Sequence, residues 1–447
     1  MPPFNNWPAT PRMPGPVAPE GVEARTIRKL STRILPLIFI LYMVAFIDRI
    51  NISFAALTMN RELAITSQQY GLLAGIFFVG YLIFEVPSNL LMHRIGARIW
   101  IARILVTWGI VATLTGFVQN VTELCVARFL LGVAEAGFFP GIILYLTYWF
   151  RQREQALAIA LFMTALPVAS ILGAPASGLI LDHAHGWGLS SWRWLLILEG
   201  LPSIVCGIFT YLLLPGRPAE ARFLTVDEKE WLASELKSEE RQKLGNGHAP
   251  AGQVFTNIRV WHLAATLLAW DIGLYWMSFW MPQKLKSLSN LYSNTTVGLL
   301  VMIPQMAGLI GMVLVSRRSD RKLERRYHSC IPAMVGGAAL LFLATTGSPP
   351  GSPVVTVAIL SVLAAGIYGF IAPFFSMPSE FLTGVSAASG IALINSVGNV
   401  GAFLGPYAIG GINEKTGGLN GGMVFAGSSL LVCAALALLL PKRRTMV

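Results

Sequence analysis

Five ionisable side chains interrupt stretches that are otherwise apolar. Asp48 and Arg49 sit in FIDRINIS, Arg128 and Glu135 in ARFLLGVAEAGFFPG, and Asp271 in WDIGLYWMSFW. If those stretches lie in hydrocarbon, each charge costs roughly 2.5–3.5 kcal/mol on insertion scales, and such groups usually carry function. Arg128 and Glu135 are two helical turns apart and so share a helix face. A dry, apolar setting favours the neutral form of a carboxyl, whereas a nearby guanidinium favours the charged form. An anion that recruits the arginine therefore releases the carboxylate to take a proton, which would tie anion binding to protonation. The planar guanidinium fork suits that anion because it can hold both oxygens of a carboxylate. The alternative is a pair of static ion bridges joining two helices.

Uncharged polar groups recur at helical spacing. Tyr81 lies in GYLIFEVPSNLL, and Asn395 and Asn399 share a face of INSVGNVGAFLGP. Amides there can donate to substrate hydroxyls or carboxylates, although amides also join membrane helices to one another. Asp271 precedes Tyr275 by one helical turn. It either lines a cavity from the second half of the chain or hydrogen-bonds a neighbouring helix. Tyr275, Trp276 and Trp280 line the same site, or they pack and form an interfacial belt.

The elements that must position these groups are membrane helices. Of 447 residues, 54% are hydrophobic and only 12% charged, against about 25% charged in soluble domains. Mean hydropathy is +0.62. This composition excludes a disordered chain, a collagen-like chain and a disulfide scaffold. A crossing helix needs about 20 apolar residues, and twelve candidate segments exist: 33–57, 68–91, 98–118, 121–149, 154–181, 192–214, 257–284, 294–316, 329–347, 353–377, 385–411 and 421–441.

The expected organisation is a disordered cytoplasmic tail over 1–30 and a six-helix bundle over 31–214. A cytoplasmic linker follows over 215–256, then a second six-helix bundle over 257–441 and a short cytoplasmic tail over 442–447. Seven prolines within 1–20 keep the first tail from packing. In the linker, Thr225 and Glu228 have capping-box spacing and predict a short amphipathic helix. Two equal hydrophobic halves joined by a charged loop indicate a 6+6 duplication.

The net charge is +11, and position matters more than the total. Of the 33 Lys and Arg residues, 26 fall in the tails, in the linker and at one set of helix ends, and five on the other side. The positive-inside rule then places both termini in the cytoplasm. At 1.5 Å per residue, Asp48 lies about 22 Å above the cytoplasmic boundary and Arg128 about 10 Å below the opposite one. In a core about 30 Å thick these levels nearly coincide. Asp48 or Arg49 is therefore expected to meet Arg128 across a cavity, with Glu135 about 10 Å nearer the cytoplasm. Two carboxylates would stack along the transport axis, each with an arginine in reach.

Over residues 30–441 the chain resembles the major facilitator superfamily. NLLMHRIGAR, from Asn89 to Arg98, is similar to the superfamily's G-x-x-x-D-R-x-G-R-R loop. It keeps Arg94, Gly96 and Arg98 and departs at Asn89, His93 and Ala97. The loop SRRSDRKLERR keeps Asp320 and Arg321 but has Ser316 and Leu323 where glycine stands in the family. The resemblance implies that these loops are cytoplasmic gating latches, with more weight on Asp320.

Within the superfamily the chain resembles the anion:cation symporters through FIDRINIS, GYLIFEVPSNLL, ARFLLGVAEAGFFPG, SFWMPQ, MPSEFLTG and INSVGNVGAFLGP. The resemblance implies substrate and proton roles for Asp48, Arg49, Arg128 and Glu135, and binding roles for Tyr81 and Asn395. Phe46 stands where some sugar-acid members carry a tyrosine, so one hydroxyl donor is missing. Asp271 falls outside the family pattern and is a candidate for substrate choice.

The expected protein is therefore an all-α polytopic membrane transporter of twelve helices in two six-helix halves. The expected function is import of a small organic anion, a hydroxy-dicarboxylate such as tartrate or a sugar acid, with protons. Substrate would bind at Arg49, Tyr81, Asn395, Tyr275 and Asn399, and Asp48, Glu135 and Arg128 would couple the proton. Alternatives are an aromatic carboxylate, another metabolite, efflux, or a non-transporting sensor on the same fold. No cofactor is expected, since the four cysteines lack metal spacing. No phosphate loop and no nucleophile–histidine pattern points to an enzyme. The expected partners are the anion, protons and the lipid bilayer, without nucleic acid. The expected state is a monomer in a bacterial inner membrane.

Overall fold

The structure is a computed structural model that describes residues 21–245, 253–346, 352–378, 381–382 and 384–440; of the tails expected over 1–30 and 442–447, residues 1–20 and 442–447 lie outside them. In hydrocarbon each backbone N–H and C=O must be paired within its own segment, so helices are the available solution for an apolar chain of this kind. Residues 22–30, expected to belong to the disordered tail, instead form α1 (Val22–Arg33), which runs almost directly into α2 (Leu35–Glu62). The first half continues with α3 (Ser67–Ile95), α4 (Ala97–Thr115), α5 (Val121–Glu135), α6 (Phe138–Thr147), α7 (Gln152–Met163), α8 (Ala165–His183) and α9 (Ser191–Leu213). In the linker, α10 (Val226–Gly245) and the single turn α11 (Gln253–Thr256) follow. The second half holds α12 (Ile258–Lys286), α13 (Asn294–Lys322), α14 (Arg326–Thr345), α15 (Pro353–Ser376), α16 (Gly384–Thr416) and α17 (Asn420–Leu439).

With α5–α6 and α7–α8 each counted as one crossing, these make twelve membrane segments. Among the described residues, ten are long and apolar enough to cross by length and composition alone. The other two, α12 and α16, are as long but carry Asp271, Asn395 and Asn399 toward the interior. The fourth crossing, expected as one helix over 121–149, is broken. Ala136 is extended and Gly137 has φ +85°, and a Cβ on Gly137 would lie 2.4 Å from Ser88 Oγ. Only glycine fits such a position without strain. The break leaves Glu135 as the last residue of α5.

The two halves repeat one packing scheme. In each, the third crossing packs on the sixth (α4 on α9, α14 on α17) and the second on the fourth (α3 on α5, α13 on α15). The halves meet through α3 with α16, α8 with α13 and α2 with α12. Small residues permit the approach: a Cβ on Gly71 would meet Pro406 O at 2.4 Å and Gly410 Cα at 3.0 Å.

At the face opposite the basic loops, each half caps a helix of the other. Asp182, at the end of α8, accepts bonds from Asn294 N (3.1 Å), Asn294 Nδ2 (2.8 Å), Thr295 N (2.7 Å) and Thr295 Oγ1 (2.7 Å) at the start of α13. Glu414, near the end of α16, accepts from Gln68 N (2.8 Å) at the start of α3. Helix N-termini carry orphan N–H groups and partial positive charge, so carboxylates suit them.

At the basic face, the ion pairs among the described residues stay within one half. Arg151 pairs with Glu23 (2.7 Å), Glu154 (2.7 Å) and Glu235 (3.0 Å), and Lys29 with Glu228 (2.8 Å). These bonds fasten α1 and α10 to the first half. Glu228 also accepts from Thr225 N at 2.9 Å, as the capping-box spacing implies.

Candidate functional site

A cavity of about 80 Å³ lies between the halves. One water needs about 10–15 Å³ on that measure, so the cavity holds several waters or one small solute. The first half contributes Tyr42, Phe46, Arg49 and Tyr81, and the second contributes Trp270, Asp271, Tyr275, Asn395 and Asn399. Every residue expected to bind substrate therefore lines one space, together with Phe46 and Asp271.

The aromatic wall is fixed by ring packing. Tyr275 meets the Phe78 ring edge-on at 4.6 Å, and Tyr42 stacks on Phe162 at 4.3 Å. Trp270 donates Nε1–H to Ile367 O at 3.0 Å. Trp276 and Trp280 are buried in packing and stand outside the cavity lining, with Trp280 edge-on to Tyr70 at 5.3 Å.

Arg49 is the cation among the lining side chains, and it forms an ion pair with Glu135. Its guanidinium also lies 5.4 Å from the Phe77 ring centroid and 5.7 Å from that of Tyr81. The pair is not fully satisfied, since Arg49 Nε and Glu135 Oε2 are buried without partners. An ion pair left with one unmatched donor and one unmatched acceptor can exchange its carboxylate for another.

The expected meeting with Arg128 is indirect. Arg128 donates Nε–H to Leu73 O at 3.3 Å, and its guanidinium lies 5.3 Å from the Phe77 ring centroid. One phenyl ring thus takes cation–π contacts from both guanidiniums. Asp48 departs from the expected stack altogether. It is 1% exposed, accepts a bond from Ser203 Oγ on α9, and does not line the cavity. Consecutive residues on a helix are about 100° apart, so Asp48 and Arg49 cannot share a face. The carboxylate stacked with Arg49 is Glu135 alone.

Asp271 lines the cavity against α16, where a Cβ on Gly398 would lie 2.7 Å from its Oδ2. The cavity therefore has a guanidinium on one wall and an acid on the other.

Two further buried acids fall outside the sequence expectations, one bonded to a cavity residue and one away from the cavity. Glu85 accepts from Asn395 Nδ2 at 3.4 Å across the halves, and its Oε2 is buried without a partner. Its signal is present in the sequence, because it follows Tyr81 by one turn and so shares its face. Glu199, a lone acid in α9, accepts from Ser177 Oγ at 2.6 Å.

The two loops expected to act as gating latches bond within their own halves. Gly96 has φ +98° and turns the chain from α3 into α4. Arg98 donates to Tyr211 O at 2.6 Å and lies over the Tyr211 ring, while Arg94 is exposed. Asp320 pairs with Arg325 at 2.5 Å, and Arg321 is exposed.

The profile of the Major Facilitator Superfamily matches residues 38–406. A candidate tartrate transporter of Agrobacterium vitis is 43% identical over 426 residues, covering 95% of this chain and 93% of that one. A quinolone resistance transporter of Acinetobacter baumannii is 37% identical over 403 residues, covering 90% and 92%. Among solved structures, a D-xylose–proton symporter superposes with a TM-score of 0.75 over 93% of this chain and 98% of that one. At 13% identity the likeness is one of fold.

Proposed function

This chain belongs to the Major Facilitator Superfamily and is a membrane transporter, not an enzyme; from that premise we propose that it imports a small organic anion, a hydroxy-dicarboxylate such as tartrate or a sugar acid, in symport with protons. The supporting observation is the Arg49–Glu135 pair at the edge of a cavity shared by both halves. An incoming carboxylate takes the Arg49 fork. Glu135, relieved of its partner, takes a proton, because an unpaired charge in a dry site is costly. With both charges balanced the halves rock about the cavity. On the cytoplasmic side the proton leaves Glu135, which reclaims Arg49 and expels the anion. Tyr81, Tyr275, Asn395 and Asn399 hold hydroxyls and the second carboxylate, and Asp271 selects among them.

The basic loops mark the cytoplasmic face in this reading, with both termini there and a monomer in a bacterial inner membrane as the working unit. The relative named for quinolone resistance favours a second reading, efflux of an aromatic compound past the ring-lined wall.

The test is uptake by whole cells of a labelled tartrate, a sugar acid, a benzoate-type acid and a neutral sugar, with and without a protonophore. Protonophore-sensitive accumulation of one acid is expected, and Glu135→Gln should retain exchange of that acid but lose accumulation. A Glu135→Gln variant that still concentrates substrate removes Glu135 from coupling. No uptake of any acid, combined with raised quinolone resistance, supports efflux instead.

A further inference from the structure

A second polar cluster lies on the other side of α2, between α2, α8 and α9. Asp48 and Glu199 are its two acids, at 1% and 8% exposure. Ser203 Oγ donates to Asp48 Oδ2, Ser177 Oγ donates to Glu199 Oε1 at 2.6 Å, and the Asn51 side chain sits beside Glu199. Ser177, Ser203 and Asn51 are buried too. None of these five side chains lines the cavity.

The cluster is incomplete as it stands. Asp48 Oδ1 and Glu199 Oε2 are both buried with no hydrogen-bond partner. Among the described residues neither acid has an ion pair. The charged groups that face Asp48 from α5, Arg128 and Glu135, act at a distance, and on α9 Cys206 is the other titratable neighbour. Arg49, next along α2, is taken up by Glu135. Two carboxylates on adjacent helices, with Asp48 bonded to Ser203 one turn of α9 beyond Glu199, dry and without a counter-cation, cannot both remain ionised, because each buried charge is costly and the two repel. Two open carboxyl oxygens and a surrounding set of hydroxyl and amide groups call for one added positive charge.

We infer that Asp48 and Glu199 together form a cation site that stores one proton, outside the substrate cavity and linked to it through α2. The inference rests on the symport reading and deepens it. One proton adds to one carboxylate to give a carboxylic acid, and the second carboxylate keeps its serine bond. Asp48 and Arg49 are consecutive, so a movement of α2 that opens this pair to solvent also moves the guanidinium in the cavity. Substrate and this stored proton, which is additional to the one on Glu135, thereby occupy different faces of one helix about 100° apart and are coupled by its rotation or tilt.

Infrared spectroscopy of the full-length protein in lipid vesicles reads the site without substrate. The carbonyl band of protonated buried carboxyls is compared among the wild type, Asp48→Asn, Glu199→Gln and the double variant, in sodium and in choline chloride. Each single variant should keep one protonated carboxyl at a displaced frequency, the double variant should lose that component, and sodium should change nothing. Loss of half the band in each single variant would mean two independent protons and overturn a shared one. A double variant identical to the wild type would mean that both groups are ionised. A band that collapses on adding sodium would make this a sodium site.

Ser177→Ala, which removes no charge, should shift the Glu199 component and serves if the carboxyl variants do not fold. In proteoliposomes, Glu199→Gln should keep tartrate counterflow and lose accumulation driven by a pH gradient. If the wild type moves no tartrate, the substrate reading falls, and the infrared result still decides the proton site.

Discussion

Arg49 is the side chain on which the proposed binding chemistry turns. Glu135 holds it, Phe77 and Tyr81 flank it, and its Nε has no partner. Lysine keeps the charge but loses the planar fork. Charge-assisted hydrogen bonds are worth about 1.5–3 kcal/mol each, so Arg49→Lys should weaken apparent affinity for the transported acid roughly ten- to a hundredfold. The measurement is the KM of protonophore-sensitive uptake. An unchanged KM would make the Arg49–Glu135 pair a static bridge between α2 and α5. The static alternative already describes Arg128 better, since a backbone carbonyl and an aromatic ring hold it away from the cavity.

Helix ends carry the conformational state. Asp182 caps α13 and Glu414 caps α3, and both caps join a fifth crossing of one half to a second crossing of the other. The two contacts are related by the pseudo-symmetry of the halves. At the basic face the ion pairs stay within a half, so nothing comparable among the described bonds ties the halves together there. Removing a cap of this kind costs about 1 kcal/mol, which is roughly a fivefold change in the ratio of two states. Asp182→Ala should therefore shift the protein toward a state open at the capped face. Spin labels at Trp187 and Leu291, 90% and 94% exposed on loops of opposite halves, would read it once the four native cysteines are replaced. A longer-distance population should grow in the variant, and an unchanged distribution would reduce Asp182 to a local cap.

At the scale of the whole molecule, the bilayer selects the outer surface and the halves select the inner one. Large apolar side chains such as Leu90, Ile208, Ile310 and Phe342 are more than half exposed. They would be a liability in water and are ordinary in contact with lipid. Orientation follows from charge. A membrane-impermeant thiol reagent applied to intact cells should label Trp187→Cys in a cysteine-free background and should not label Arg222→Cys. The reverse pattern would invert the proposed topology and with it the direction of transport.

Much of this protein is legible from sequence by itself, and the reason is its solvent. Hydrocarbon forces apolar segments into helices, and spacing along a helix sets which residues share a face. That is enough to expect polar groups such as Arg49, Tyr275, Asn395 and Asn399 around one interior space, whereas the likeness to the superfamily, and the binding roles it implies for Tyr81 and Asn395, rest on motifs such as FIDRINIS and INSVGNVGAFLGP. Helix rotation and neighbours are not written in the depth of a residue. Asp48 and Arg128 share a level, yet Asp48 turns toward Ser203 on α9 because consecutive residues diverge by about 100°. The break at Gly137 needed the contact with Ser88 to become visible. Glu85 and Glu199 stand in plain view as lone acids in apolar runs. Only tertiary packing decided that Asn395 meets one from the opposite half and that the other shares a buried pocket with Asp48, because partners distant in the chain set the environment of a buried charge.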